Sequence, residues 1–210
     1  MHNSRYYYKP RTGVLMEKLK MESAFNNGWQ VFKDNFLTLT IAFFVVCLFS
    51  ATLILAPAMI AGFTYMLLRA SRGEAIEIGD VFHGFSDFGR YFVGGLLYLG
   101  ILLLGAICFG IGIFASLGVL LFFFPVMVDK KLSAGEALSV CWEYFKSDWP
   151  TAILMAVILK VIFGVGESAW HVFVFITGAF AFSVSIAAYN QVFGSESTEP
   201  EIEIEPEEVI

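Results

Sequence analysis

Residues 79–92 read GDVFHGFSDFGRYF, and within them Val81, Phe85, Phe88 and Phe92 fall at i, i+4, i+7 and i+11. That spacing predicts one apolar face of a helix. The same spacing occurs 56 residues earlier in Phe25, Trp29, Phe32 and Phe36, and 57 residues later in Leu138, Trp142, Phe145 and Trp149. Each copy opens onto a long apolar run, so the pattern predicts three related units.

The runs decide the solvent. Of the 210 residues, 58% are hydrophobic and 15% charged, against about 45–50% and about 25% in soluble domains. Residues 36–69, 91–128 and 149–191 each hold enough apolar length for two short spans, since one crossing takes about 20 residues. The expected fold class is therefore all-α: a polytopic membrane bundle of about six short transmembrane helices, arranged as three hairpins. An amphipathic interfacial helix precedes each hairpin. The aromatic residues of the three copies, Trp29, Phe32 and Phe36, then Phe85, Phe88 and Phe92, then Trp142, Phe145 and Trp149, are read as interfacial anchors, because Trp and bulky aromatics favour the headgroup boundary. A stripe of this kind also packs a helix onto its neighbours, so the repeat indicates architecture and not activity.

Outward from the repeats, residues 1–23 are read as a basic cytoplasmic leader and 24–192 as the membrane domain, with repeats at 24–70, 79–128 and 137–192. Residues 193–210 are read as an acidic disordered tail. The net charge of −6 belongs to that tail, since seven of the nineteen acids follow Gly194 and the body carries thirteen basic against twelve acidic residues. Alternating Glu and Ile with Pro200 and Pro206 favours a solvated tail over a strand. Met16 and Met21 are alternative starts.

Charge also orients the chain. Arg69, Arg72 and Arg90 flank the second aromatic motif and Lys130, Lys131 and Lys146 the third, whereas the turns near Pro57 and Gly110 carry no basic residue. Basic flanks stay on the cytoplasmic side, so the chain is expected in the cell membrane with both termini cytoplasmic. For residues 36–70 two paths compete, one long helix kinked at Pro57 or a tight hairpin, and the charge placement favours the hairpin. Gly95, Gly100, Gly105 and Gly110, with the pair Gly112 and Ser116, offer small surfaces for close helix approach. At the second motif Asp80 is the expected helix cap, and at the third Ser133 with Glu136 forms a capping-box pattern.

Chemistry is sparse. A charge inside a membrane costs about 2.5–3.5 kcal/mol on insertion scales, and Lys160 is the one such residue well inside an apolar run. It is a candidate functional charge, with Glu167 as its candidate partner; the competing reading is a side chain that snorkels to the outer headgroups, five or six residues away. His83 with Asp80 and Asp87 forms a polar edge that the other two motif copies lack. His2, His83 and His171 fall on separate parts of the chain and predict no metal cluster. Cys47, Cys108 and Cys141 lack metal-like spacing and read as core residues. Without paired carboxylates or hydrolase and nucleotide motifs, no enzyme activity and no cofactor are expected. The expected partners are the lipid bilayer and a second copy or another membrane protein, with no nucleic acid. The leading expectation is a membrane scaffold or lipid-organising component, the alternatives a small transporter or channel and the membrane partner of a lipid-processing enzyme.

One resemblance rests on residues already quoted. GWQVFKDNF at 28–36, P-x-x-x-x-G at 57–62, Y-x-x-x-R at 65–69, R-G-E at 72–74 and D-V-F-x-G-F at 80–85 follow one another in an order that resembles bacterial polytopic membrane proteins of unknown function. These are similar in turn to the membrane domain of some glycerophosphodiester phosphodiesterases. The resemblance covers roughly residues 24–192 and implies the fold; it assigns no catalytic or binding residue.

Overall fold

A computed structural model describes residues 16–107, 111–169 and 173–194, and these are helical nearly throughout. In chain order the helices are α1 (Met21–Asp34), α2 (Phe36–Ser50), α3 (Ala56–Ser71), a 3₁₀ segment (Ile78–Asp87), α4 (Phe88–Ile107), α5 (Ile111–Leu120), α6 (Phe123–Asp129), α7 (Ala134–Ser147), α8 (Trp149–Ala169) and α9 (Phe173–Phe193). Four stretches are long and apolar enough to cross a membrane: Ile78–Ile107, Gly112–Asp129, Trp149–Gly166 and Phe173–Phe193. The bent pair α1–α2 makes a fifth, its two parts meeting at 92°. The chain is an all-α protein of membrane-spanning composition.

The right angle between α1 and α2 follows from their sequences. α1 is amphipathic, with Asn26, Asn27, Gln30, Lys33 and Asp34 exposed, whereas α2 is apolar on every side. The two helices suit different solvents and diverge at Asn35. α7 is amphipathic in the same way and starts at a capping box: the Ser133 hydroxyl and backbone N–H donate to Glu136 at 2.7 and 2.9 Å.

The middle copy of the motif differs. Residues 78–87 wind as a 3₁₀ helix, with three residues per turn, so the expected face of Val81, Phe85, Phe88 and Phe92 does not form. Phe82, Phe85, Phe88 and Phe92 instead stack as a ladder with centroid spacings of 6.2, 6.1 and 5.7 Å, two steps of i+3 and then one α-helical step of i+4. Val81 and Gly84 face the other way and are buried. The cap is also displaced from expectation: Glu77 is the N-cap residue, and Asp80 sits at N3 accepting the Glu77 N–H at 2.9 Å.

α3 is the hub. Ten of its 16 residues are buried, against three of the 20 in α4. It packs on the 3₁₀ segment backbone to backbone, because glycines face each other there. A Cβ on Gly62 would lie 2.6 Å from the Val81 carbonyl carbon, and one on Gly84 would lie 2.8 Å from the Gly62 nitrogen. Of the spaced glycines, Gly105 abuts Ser116 and the Gly112 carbonyl, and Gly95 abuts Pro57, while Gly100 faces open space. Gly110 lies outside the described residues.

Two further expectations need correction, and a third, the favoured hairpin at 36–70, needs adjustment only at Pro57. The segment read as leader belongs to the fold from Met16 onward: Met16 and Leu19 are buried and Glu17 N–H donates to Val192 O at 3.0 Å. Residues 36–70 are two helices separated by a turn at 51–55, with Pro57 inside the first turn of α3, where it is tolerated. The run 91–128 breaks a second time, at Leu121–Phe122, and Pro125 in α6 cannot donate a backbone hydrogen bond across that break.

Candidate functional site

Where α3, α4, α5, α6, α8 and α9 converge they leave a cavity of about 450 Å³. Its wall is mostly apolar, with Pro57, Ile60, Leu99, Leu120, Phe124 and Phe182 among its residues. Four polar side chains interrupt it: Thr64, Tyr98, Lys160 and Ser185. Each comes from the middle of its own helix: Thr64 is ninth of the 16 residues of α3, Tyr98 eleventh of 20 in α4, Lys160 twelfth of 21 in α8 and Ser185 thirteenth of 21 in α9. The cavity also reaches the turn before α3, since Leu53, Ala56 and Pro57 line it. The Leu121–Phe122 break opens beside it, since Leu121, Phe124 and Pro125 also line it. Interrupted helices at membrane depth are tolerated where they are buried in protein or line a cavity.

Lys160 lies where the sequence puts it: the apolar span of α8 ends at Gly166, six residues or about 9 Å on at 1.5 Å per residue, and the side chain is exposed on the cavity side. Its Nζ lies over the Phe163 ring at 5.6 Å from the centroid. A cation–π contact is worth about 0.5–2 kcal/mol, less than the roughly 2.5–3.5 kcal/mol insertion cost of the charge, so the ring offsets only part of it. Among the described residues no carboxylate pairs with Lys160. The side chain of its candidate partner Glu167 lies outside those described.

At the end of the bundle where α3 and α9 finish, a second, polar network forms. Arg69 donates to Glu74 at 2.8 Å and to both oxygens of Asp80 at 3.0 and 3.1 Å. Asp129 accepts from Arg72 and from the hydroxyl of buried Tyr189, the latter at 2.7 Å, and Asn190 donates to the Ser71 hydroxyl at 2.8 Å. His83 stacks on Tyr65 with centroids 3.9 Å apart. The polar edge of His83, Asp80 and Asp87 is thus divided among three partners, since Asp87 is bound to Arg90 at 3.0 Å. These pairs join the ends of elements distant in sequence and present no free acid–base pair. Among the described residues no three His, Cys, Asp or Glu side chains come together as a metal site. Cys141 is fully buried, and burial pushes its thiol up, away from the reactive thiolate. Cys47 is half-buried, and Cys108, His2 and His171 lie outside the described residues.

The aromatic anchors separate into three groups. Trp29, Phe36, Trp142 and Trp149 are exposed, as a membrane boundary requires. Phe32 is not: it is 4% exposed, with its ring 5.6 Å from that of Phe180 on α9. It holds α1 onto the bundle and is no lipid anchor. Phe85, Phe88, Phe92 and Phe145 are half-buried.

Of the cavity, sequence reasoning found Lys160 and missed Thr64, Tyr98 and Ser185. Each is a lone hydroxyl in an apolar run, and only the folded cavity brings them together. Comparison with protein-family models, curated proteins and solved structures yields no match for this chain.

Proposed function

We propose that this protein is a non-enzymatic, lipid-organising membrane protein that holds an amphiphile in its mid-helix cavity. The observation that carries the reading is the cavity itself: about 450 Å³, within the roughly 300–1,000 Å³ of small-molecule sites, apolar in its walls and dotted with a few polar groups. Among the described residues no carboxylate lines it, and its surface is apolar apart from three hydroxyls and one ammonium, which suits an amphiphile.

The architecture that goes with this reading is six spans in three hairpins, placed in the cell membrane with both termini cytoplasmic. α2 and α3 form the first hairpin, α4 and α5–α6 the second, α8 and α9 the third, with α1 and α7 at the inner boundary and the 3₁₀ segment running along α3, from Asp80 beside Arg69 to Gly84 beside Ala58. At 15 and 16 residues, α2 and α3 are each about 23 Å long, shorter than a hydrocarbon core of about 30 Å, so local thinning accompanies them. The motifs behind the resemblance to the phosphodiesterase membrane domain gain a physical reason too. Gly62, Tyr65, Arg69, Glu74, Asp80 and Gly84 all meet at the contact between α3 and the 3₁₀ segment. Service as the membrane partner of a lipid-processing enzyme fits the same cavity.

A transporter is the second reading, favoured by the Leu121–Phe122 break beside the cavity, because transport sites cluster at discontinuous helices near the midplane. The test is mass spectrometry of lipid retained by the purified full chain, alongside flux assays in proteoliposomes. Stoichiometric retention of one lipid class without flux supports the lipid-organising role, flux supports the transporter, and neither one removes both.

A further inference from the structure

The cavity holds one full charge, and that charge selects the occupant. We propose that the cavity binds a long-chain carboxylate, a single-chain anionic amphiphile, with its carboxylate on Lys160 Nζ and its chain along the apolar wall of Pro57, Leu99, Phe124 and Phe182. The inference rests on the amphiphile reading of the cavity and adds the chemistry of the headgroup.

The ammonium comes first. Lys160 is at the middle of α8 and lines the cavity, with an aromatic ring as its nearest compensation and no described carboxylate paired with it. A charge at that depth calls for a counter-ion, since charged groups inside membranes face cavities and pair with one another. The remaining described side chains on the cavity carry no charge, and an anionic ligand on the exposed Lys160 ammonium fills that role. The hydroxyls of Thr64, Tyr98 and Ser185 line the same space and make no hydrogen bond among the described residues. Each is a donor, and donors to a carboxylate make the stronger, charge-assisted kind of hydrogen bond. A neutral alcohol would leave the ammonium uncompensated. About 450 Å³ lies toward the lower end of the range for small-molecule sites and matches one acyl chain better than the two of a phospholipid. One acyl chain with a compact headgroup satisfies both charge and volume.

The experiment uses the full chain in nanodiscs of zwitterionic phosphatidylcholine, with tritiated palmitate and tritiated hexadecanol as probes. Wild type should bind palmitate saturably at one site. Lys160→Gln should weaken palmitate binding roughly ten- to a hundredfold, the loss expected for a charged hydrogen bond, while leaving hexadecanol binding unchanged; Lys160→Arg should retain palmitate. Unchanged hexadecanol binding by Lys160→Gln also shows that the variant is folded. Ala156→Phe, which fills the cavity, should lose both probes. If Lys160→Gln binds palmitate as wild type does, the anion inference is overturned and the amphiphile cavity stands. If phosphatidylglycerol displaces palmitate mole for mole from wild type, a two-chain lipid is the occupant and the single-chain inference is overturned. If folded Ala156→Phe still binds both probes as wild type does, the cavity is not the site and both readings fall.

Discussion

Gly84→Ala should be among the most damaging single-methyl additions to this protein, and the structure sets its size. The new Cβ would lie 2.8 Å from the Ala58 carbonyl carbon and 2.8 Å from the Gly62 nitrogen, where carbon atoms in contact normally stand about 3.5–4.0 Å apart. Both obstacles are backbone, so no side chain can turn aside. Relief requires α3 and the 3₁₀ segment to separate by roughly 1 Å, which loosens the Tyr65–His83 stack and the Arg69–Asp80 pair on the same contact. Overpacking costs about 1–3 kcal/mol, and a rigid backbone on both sides places Gly84→Ala near 3. Gly89→Ala, five residues on, meets nothing within 4 Å and should be neutral or stabilising by about 0.4–1 kcal/mol, through a less flexible unfolded chain. The two variants should therefore differ by about 4 kcal/mol, roughly a thousandfold in the folding equilibrium. Reversible unfolding in mixed micelles with graded dodecyl sulfate measures it. Equal stability of Gly84→Ala and Gly89→Ala would refute the backbone contact and the hub role of α3.

Three further outcomes follow from the polar contacts and the spans. Tyr189→Phe removes a hydrogen bond to the Asp129 carboxylate in a buried setting and should cost about 1.5–3 kcal/mol, whereas Arg72→Gln, whose side chain is 51% exposed, should cost about 0–1 kcal/mol, both read by the same titration. Hydrogen bonds from the Ser133 hydroxyl and backbone hold the Glu136 carboxylate below the ordinary glutamate range. A depressed folded pKa means that this contribution is fully present above the unfolded value, about 4.3, and is lost as pH falls through the folded value. Exchange protection of α7 amides, taken as wild type minus Glu136→Gln, should shrink over that acid window and stay constant above it. For topology, single cysteines at Ser139 and Val165, both exposed, should label from opposite sides of the membrane once Cys47, Cys108 and Cys141 are replaced. Val165 is preferable to Gly166, where a side chain would strike Thr177.

The parts of the fold legible in the sequence are those in which one helix carries its whole signal. α1 and α7 declare themselves through apolar spacing of 3.6 residues, and Ser133 with Glu136 marks the start of α7. The 3₁₀ segment was hidden because its aromatic residues satisfy two periods at once: Phe85 and Phe88 belong both to an α-helical series from Val81 and to an i+3 series from Phe82. Backbone packing of Gly62 on Gly84 chose between them. Phe32 looked like a lipid anchor because nothing local reveals Phe180 across the bundle. The break at Leu121–Phe122 lies inside an uninterrupted apolar run, where composition carries no boundary, and only Pro125 hinted at it. The cavity was legible at Lys160 alone. Its walls come from six helices and its hydroxyls from three, and no spacing rule connects positions that meet only after folding.

The mid-helix cavity as an amphiphile site is tested most directly by a photo-crosslinking residue at the site. p-Azidophenylalanine replaces Tyr98 with an azide in place of the hydroxyl, a small change in shape, and a control copy replaces Leu103, which is exposed on the same helix α4. After illumination in native membranes, intact-mass analysis of the purified chain reads the adducts. The expected result is one single-chain lipid class at position 98 against a mixture matching the bilayer at position 103. The same bilayer mixture at both positions, or crosslinks at position 98 to the chain itself and to no lipid, would contradict it.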